Sequence, residues 1–199
     1  MTANPLAILL TALLATGCAA PEVLDPRDGA VPAGVDLSGN WRIRNDRRED
    51  ARRLREAIRR TDGMRDDEVF RPSSRPPGGS TSRSRSGGTK GGLVYVFLET
   101  GSSLKVTQTR DGMFIAFDRA VVEEYRFGEN RIINVGEVQA QRVTGWEGEE
   151  LVVETLDRNS MKLTERFALR EGGAVLERTI TFRSKKGEQE TIVQLFDRE

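Results

Sequence analysis

The chain has 199 residues, with 31 Lys+Arg set against 31 Asp+Glu, no histidine and one cysteine. That length allows one domain with a leader and a linker. Without histidine the commonest general base and metal ligand are gone, and a single cysteine excludes an intramolecular disulfide and a cysteine-rich metal cluster. The charge is unevenly placed. Residues 42–90 hold 15 basic and 8 acidic side chains, and residues 93–199 hold 15 basic and 19 acidic ones, so a basic segment precedes an acidic domain.

Residues 4–20 read NPLAILLTALLATGCAA. The apolar run 6–15 has the length of a signal-peptide core and falls short of the ~20 residues of a transmembrane helix. It ends in Ala15-Thr16-Gly17-Cys18, which resembles the lipobox of bacterial lipoproteins. The resemblance implies a signal peptide over 1–17, acylation of Cys18 with palmitate-type chains, and an envelope location. Ala19 implies sorting to the outer membrane, facing the periplasm. A plain cleaved signal with an incidental Cys18, and a cytoplasmic protein, are the competing readings. Residues 18–35 are rich in Pro, Gly and Asp without periodicity and read as a lipidated tether.

Residues 36–199 read as one β-domain. Its first strand is Asp36–Arg44, with Trp41 in Gly39-Asn40-Trp41. Gly-x-Trp on a first strand resembles the lipocalin signature, in which the Trp closes the base of the barrel. Asp46 and Glu49 have the spacing of a helix capping box. They open a basic helix over 45–62 with an apolar stripe of Ala51, Leu54 and Ile58. The stripe predicts a surface helix lying on the sheet. Its arginine-rich face could alternatively meet anionic lipid headgroups. Nucleic acid is not expected as a partner, because aromatic interleaving is missing. Residues 71–92 hold no bulky apolar side chain and read as a linker excursion from the domain.

From Leu93 onward, short strand-like runs alternate with turn signals: LVYVFLE, SLKVTQT, MFIAFD, VVEEYRF, RIINV, EVQAQRVTGW, ELVVETL, SMKLTERFAL, AVLERTITFR and QETIVQLF. With the first strand this predicts an up-and-down antiparallel meander of about ten strands. The pattern resembles the lipocalin and fatty-acid-binding-protein class, the calycins, which implies a closed barrel. More closely, LSGNW, DARRLREAIRR, LKVTQTRDGM, WEGEELVVET and LTERFAL resemble an uncharacterised secreted bacterial family, which implies a fold and a compartment but no chemistry.

The best-specified unit is the hairpin 160–183. Folded tightly about Glu171-Gly172, it pairs Met161 with Phe182, Leu163 with Ile180 and Phe167 with Leu176 on one apolar face. Glu165 and Arg178 land opposite each other on that same face. A satisfied internal ion pair is the first reading. An arginine that receives a ligand carboxylate is what the fatty-acid-binding-protein resemblance implies. The candidate ligand-binding residues are therefore Arg178, Glu165 and Trp41. Glu123, Glu124, Glu147, Glu149 and Glu150 read as solvated strand ends rather than an acid–base pair, and Ser102, Ser103 and Ser160 have no histidine to activate them.

The sequence thus predicts a non-catalytic, monomeric envelope lipoprotein with no cofactor and no metal. It meets the membrane through its lipid and takes a small apolar or amphipathic ligand in the barrel. A packed barrel whose helix and linker contact envelope components is the alternative. If the lipobox is used, Cys18→Ser abolishes incorporation of radiolabelled fatty acid; unchanged labelling rejects it.

Overall fold

A computed structural model describes residues 21–62 and 93–199. Cys18 and the linker 71–92 lie outside those residues. The described chain holds ten strands: β1 Gly39–Ile43, β2 Ser103–Gln108, β3 Gly112–Phe117, β4 Val121–Arg126, β5 Asn130–Val135, β6 Val138–Glu147, β7 Glu150–Asp157, β8 Lys162–Arg170, β9 Val175–Arg183 and β10 Gln189–Arg198. One helix, α1, spans Arg47–Asp62. All strand pairs are antiparallel, in the order β4-β3-β2-β1-β10-β9-β8-β7-β6-β5. This is the expected antiparallel meander of ten strands with one helix after the first strand. The sheet curls so that β4 and β5 are its two ends. Side chains bridge that seam: Arg131 Nη2 donates to the Glu124 carbonyl at 2.9 Å, and Arg142 pairs with Glu123 at 3.2 Å.

The inward residues form two apolar clusters stacked along the barrel. One holds Leu37, Trp41, Met113, Phe127, Trp146, Leu176 and Phe196. The other holds Met161, Leu163, Ile180, Phe182 and Ile192 with Leu54, Ala57 and Ile58 of α1. The helix therefore closes one end of the barrel, and Trp41 lies toward the other. Its start is capped by Asp46, whose Oδ1 accepts from the amides of Arg48 at 2.8 Å and Glu49 at 3.1 Å. Glu49 and Asp50 in the first turn and Arg59 and Arg60 in the last suit the helix dipole.

Three features differ from the sequence reading. LVYVFLE is not a strand; Leu93–Phe97 is a 3-10 segment. Val94, Tyr95, Phe97 and Leu98 are buried, which is helical rather than alternating spacing. With no charged residue before Glu99, the run gives periodicity little to read. The hairpin β8–β9 pairs two residues out from the tight fold, with Leu163 opposite Phe182 and Leu169 opposite Leu176. Its loop is longer because Glu171, Gly172 and Gly173 all have positive φ (53°, 65° and 92°), a course that two glycines make accessible. A shift of two keeps every side chain on its expected face.

Third, residues 21–35, read as a tether, run along the outside of the sheet. Glu22 pairs with Arg183 and, at 3.6 Å, with Lys162. Leu24 is buried with Val143 and Leu156. Arg27 pairs with Glu147 and, at 2.6 Å, with Glu154, and Asp28 bridges to Trp146. Gly145 lets this strap in: a Cβ there would stand 2.3 Å from the Asp28 carbonyl and 2.6 Å from the Arg27 Cβ. Gly145→Ala must therefore push the strap off β6. A loss of about 1–3 kcal/mol in urea unfolding is expected, with new proteolytic cleavage between residues 21 and 35.

Candidate functional site

Between the two apolar clusters lies a polar layer. Glu165 on β8 and Arg178 on β9 are both 0 % exposed. They sit diagonally across the ladder, because Glu165 faces Ile180 and Phe167 faces Arg178. Arg178 Nε donates to Glu165 Oε1 at 3.0 Å, and its Nη2 reaches the same oxygen. Nη2 also donates to the Glu99 carbonyl at 2.9 Å, and Nη1 to Gln194 Oε1 at 3.5 Å. The guanidinium is held between two rings, 5.2 Å from the centre of Phe117 and 5.6 Å from that of Phe167. Glu165 Oε2 is buried without a hydrogen-bond partner among the described residues. The sequence put both residues on the inner face but directly opposite each other, whereas they meet on a diagonal, and the structure gives the arginine an internal carboxylate.

A second buried cation was missed. Arg142 on β6 donates through Nε to Thr155 Oγ1 at 3.1 Å and pairs with Glu123 at 3.2 Å. It lies over the rings of Phe97 and Tyr125, 5.9 and 5.5 Å from their centres. The signal was present, since Ala140, Arg142, Thr144 and Trp146 alternate along one strand and all are buried. Glu123 is accordingly an inward residue rather than a solvated strand end. Burial drives the Tyr125 hydroxyl far above its usual range, and the neighbouring Glu165 adds to that. Burial likewise raises the Glu99 carboxyl, with Glu123 reinforcing the effect and Arg178 opposing it.

Trp41 is not in this layer. Its Nε1 donates to the Leu37 carbonyl at 3.1 Å, and Arg198 stacks on its ring with 4.1 Å to the centroid. It is a plug at the end of the barrel away from α1.

Several grooves open on the described surface, among them three of note. Those of ≈ 680 Å³ beside Asp36 and Asp111, and ≈ 820 Å³ between Arg42 and Arg119, have mainly polar walls. The third, of ≈ 370 Å³, lies beside α1. Ile43, Ala51 and Leu54 form its apolar wall, Gln194, Asp50 and Thr100 its polar end, and Arg47 and Arg55 line it from the helix. Asp50 is almost fully buried, and burial raises its carboxyl, with Arg53 at 3.7 Å opposing the shift. Gln194 joins the groove to the interior, since the same side chain accepts from Arg178. Chemically the groove offers an apolar flank, an amide, a hydroxyl, the Asp50 carboxyl and two cations, which suits an amphipathic molecule with a hydrogen-bonding end.

No family model matches the chain, and no curated protein matches it. Among solved structures it is similar to secretory abundant heat soluble protein 4 from Ramazzottius varieornatus (13% identity, 83% of this chain and 96% of that one, TM-score 0.49). It is also similar to apo lipid binding protein 8 of Caenorhabditis elegans (12% identity, 84% and 100%, TM-score 0.48). A zebrafish ileal bile acid-binding protein complexed with cholic acid is a third (13% identity, 82% and 98%, TM-score 0.45).

Arg178→Met leaves Glu165 buried beside no cation. A loss of about 3–5 kcal/mol in urea unfolding is expected, and Arg178→Met with Glu165→Met should recover most of it. A near-neutral single variant would show that the pair is solvated.

Proposed function

We propose that this chain is a non-catalytic binding module of the cell envelope. It takes a small amphipathic molecule in the groove between α1, the end of β1 and Gln194, and is held at a membrane by acylated Cys18. The observation that carries the binding reading is the groove itself. Its ≈ 370 Å³ falls at the lower end of small-molecule sites, and it joins an apolar wall to polar groups on one side. A ligand's apolar part would lie on Ile43, Ala51 and Leu54, and its polar end would meet Gln194 and the helix arginines.

The deep pair Arg178–Glu165 then acts as a rigid floor rather than as the receptor. Displacing Glu165 with a ligand carboxylate would strand one buried charge while satisfying another. The alternative, a packed barrel working through its surface, is favoured by the interior. Trp41, Phe117, Tyr125, Phe167, Phe182 and Phe196 are all fully buried in it.

Native mass spectrometry of the full chain, purified from the cells that make it, tests the groove. A co-purified small molecule is expected with the unaltered chain. With Ala51→Trp, whose indole would fill the groove, at least a tenfold loss of occupancy is expected, with circular dichroism unchanged. An empty unaltered chain, or full occupancy in Ala51→Trp, rejects this site.

A further inference from the structure

Arg48, Arg52, Arg55 and Arg59 on α1 are all exposed. They recur at i, i+4, i+7 and i+11, so they form one line along the helix, about 16 Å long. Leu54, Ala57 and Ile58 are buried against the barrel from the same helix, which turns the arginine line outward. Arg52 reaches Glu56 at 3.7 Å. Arg48, Arg55 and Arg59 have no acidic side chain within ion-pair distance among the described residues, while Arg47, Arg53 and Arg60 each do. The strand-connecting loops at this end add exposed Arg158, Lys185 and Lys186, against exposed Glu137 and Glu188. At the opposite end exposed Asp36, Asp111, Glu147, Glu149, Glu171 and Glu199 outnumber exposed Arg110, Arg126, Arg170 and Arg198. The barrel is thus electrically polarised along its length, positive where α1 lies.

The second observation is the course of the strap. Glu22 is fastened to Lys162 and Arg183, at the end that α1 closes, and Asp28 meets Trp146 toward the other end. The described chain therefore begins at the arginine end.

We propose that this end is a docking surface for an anionic phospholipid bilayer, with the arginine line on the headgroup phosphates. Guanidinium suits that contact, being weakly hydrated and able to bind a phosphate through two N–H groups. Each arginine brought to an anionic surface raises partitioning about fivefold. The orientation this gives to the domain rests on the acylation proposed above. Cys18 to Pro21 spans at most about 11 Å, so lipid and arginine line would meet one and the same bilayer. The vesicle affinity needs neither the acyl chain nor the groove ligand.

The test uses the full chain carrying Cys18→Ser. Its partitioning is measured by sedimentation on equimolar phosphatidylglycerol–phosphatidylcholine vesicles and on phosphatidylcholine alone. Preference for the anionic vesicles, weakening as salt is raised, is expected. Replacing all four helix arginines by Gln should lower partitioning about several-hundredfold, and Arg48→Gln with Arg59→Gln, which spares the Arg52–Glu56 contact, about 25-fold. Replacing Arg42, Lys105, Arg110 and Arg126 by Gln removes the same charge elsewhere and should change partitioning less than fivefold. Arg55 also lines the groove, whereas Arg48 and Arg59 do not, so their twofold variant together with Ala51→Trp, which should bind vesicles like the parent, separates this surface from the groove. Equal binding to both vesicle types, or equal losses in the two fourfold variants, overturns the proposal.

Discussion

The interior depends on one buried ion pair. Arg178 and Glu165 sit where the two apolar clusters meet, and neither touches solvent. Such a pair contributes little net stability compared with apolar residues of the same volume, but it penalises any arrangement that separates its members. Here that penalty extends to several elements at once. The guanidinium also holds the Glu99 carbonyl, Gln194 of β10 and the rings of Phe117 and Phe167. A register slip in β8, β9 or β10 would break at least one of those contacts, so the charges act as a key for strand alignment.

Faces were legible in the sequence where register was not. Alternation placed Leu163, Glu165, Phe167, Arg178, Ile180 and Phe182 inward, and all of them are buried. Alternation has period two, so it cannot tell one pairing from another shifted by two. The loop decides that, and three successive residues of positive φ at Glu171–Gly173 made it longer than a two-residue turn. The same limit explains LVYVFLE, where an unbroken apolar run carries no phase. The helix was legible from both its cap and its stripe, because Asp46, Leu54 and Ile58 each do a separate local job.

The candidate site was legible only in part. Arg178 and Glu165 could be found because charges interrupt an otherwise apolar face. Arg142 has the same signature on β6, between Ala140 and Trp146, but its partner Glu123 lies on β4 at the far end of the sheet order. Only closure of the sheet joins them. The strap was invisible for a related reason: Leu24 and Arg27 bind the outer face of strands more than a hundred residues away, and Gly145 looks like any strand glycine until Asp28 is placed beside it.

The pairing of β1 with β10 joins Trp41 to Arg198 and Ile43 to Phe196. The first strand has no partner on that side until residues 189–198 are present. A chain emerging from a ribosome can therefore form its local hairpins one after another, but β1 cannot close on β10 until residues 189–198 are present. Contacts that distant in sequence also make closure slow. Among the described strands, the β1–β10 seam is the one joint between strands that are not consecutive in the chain.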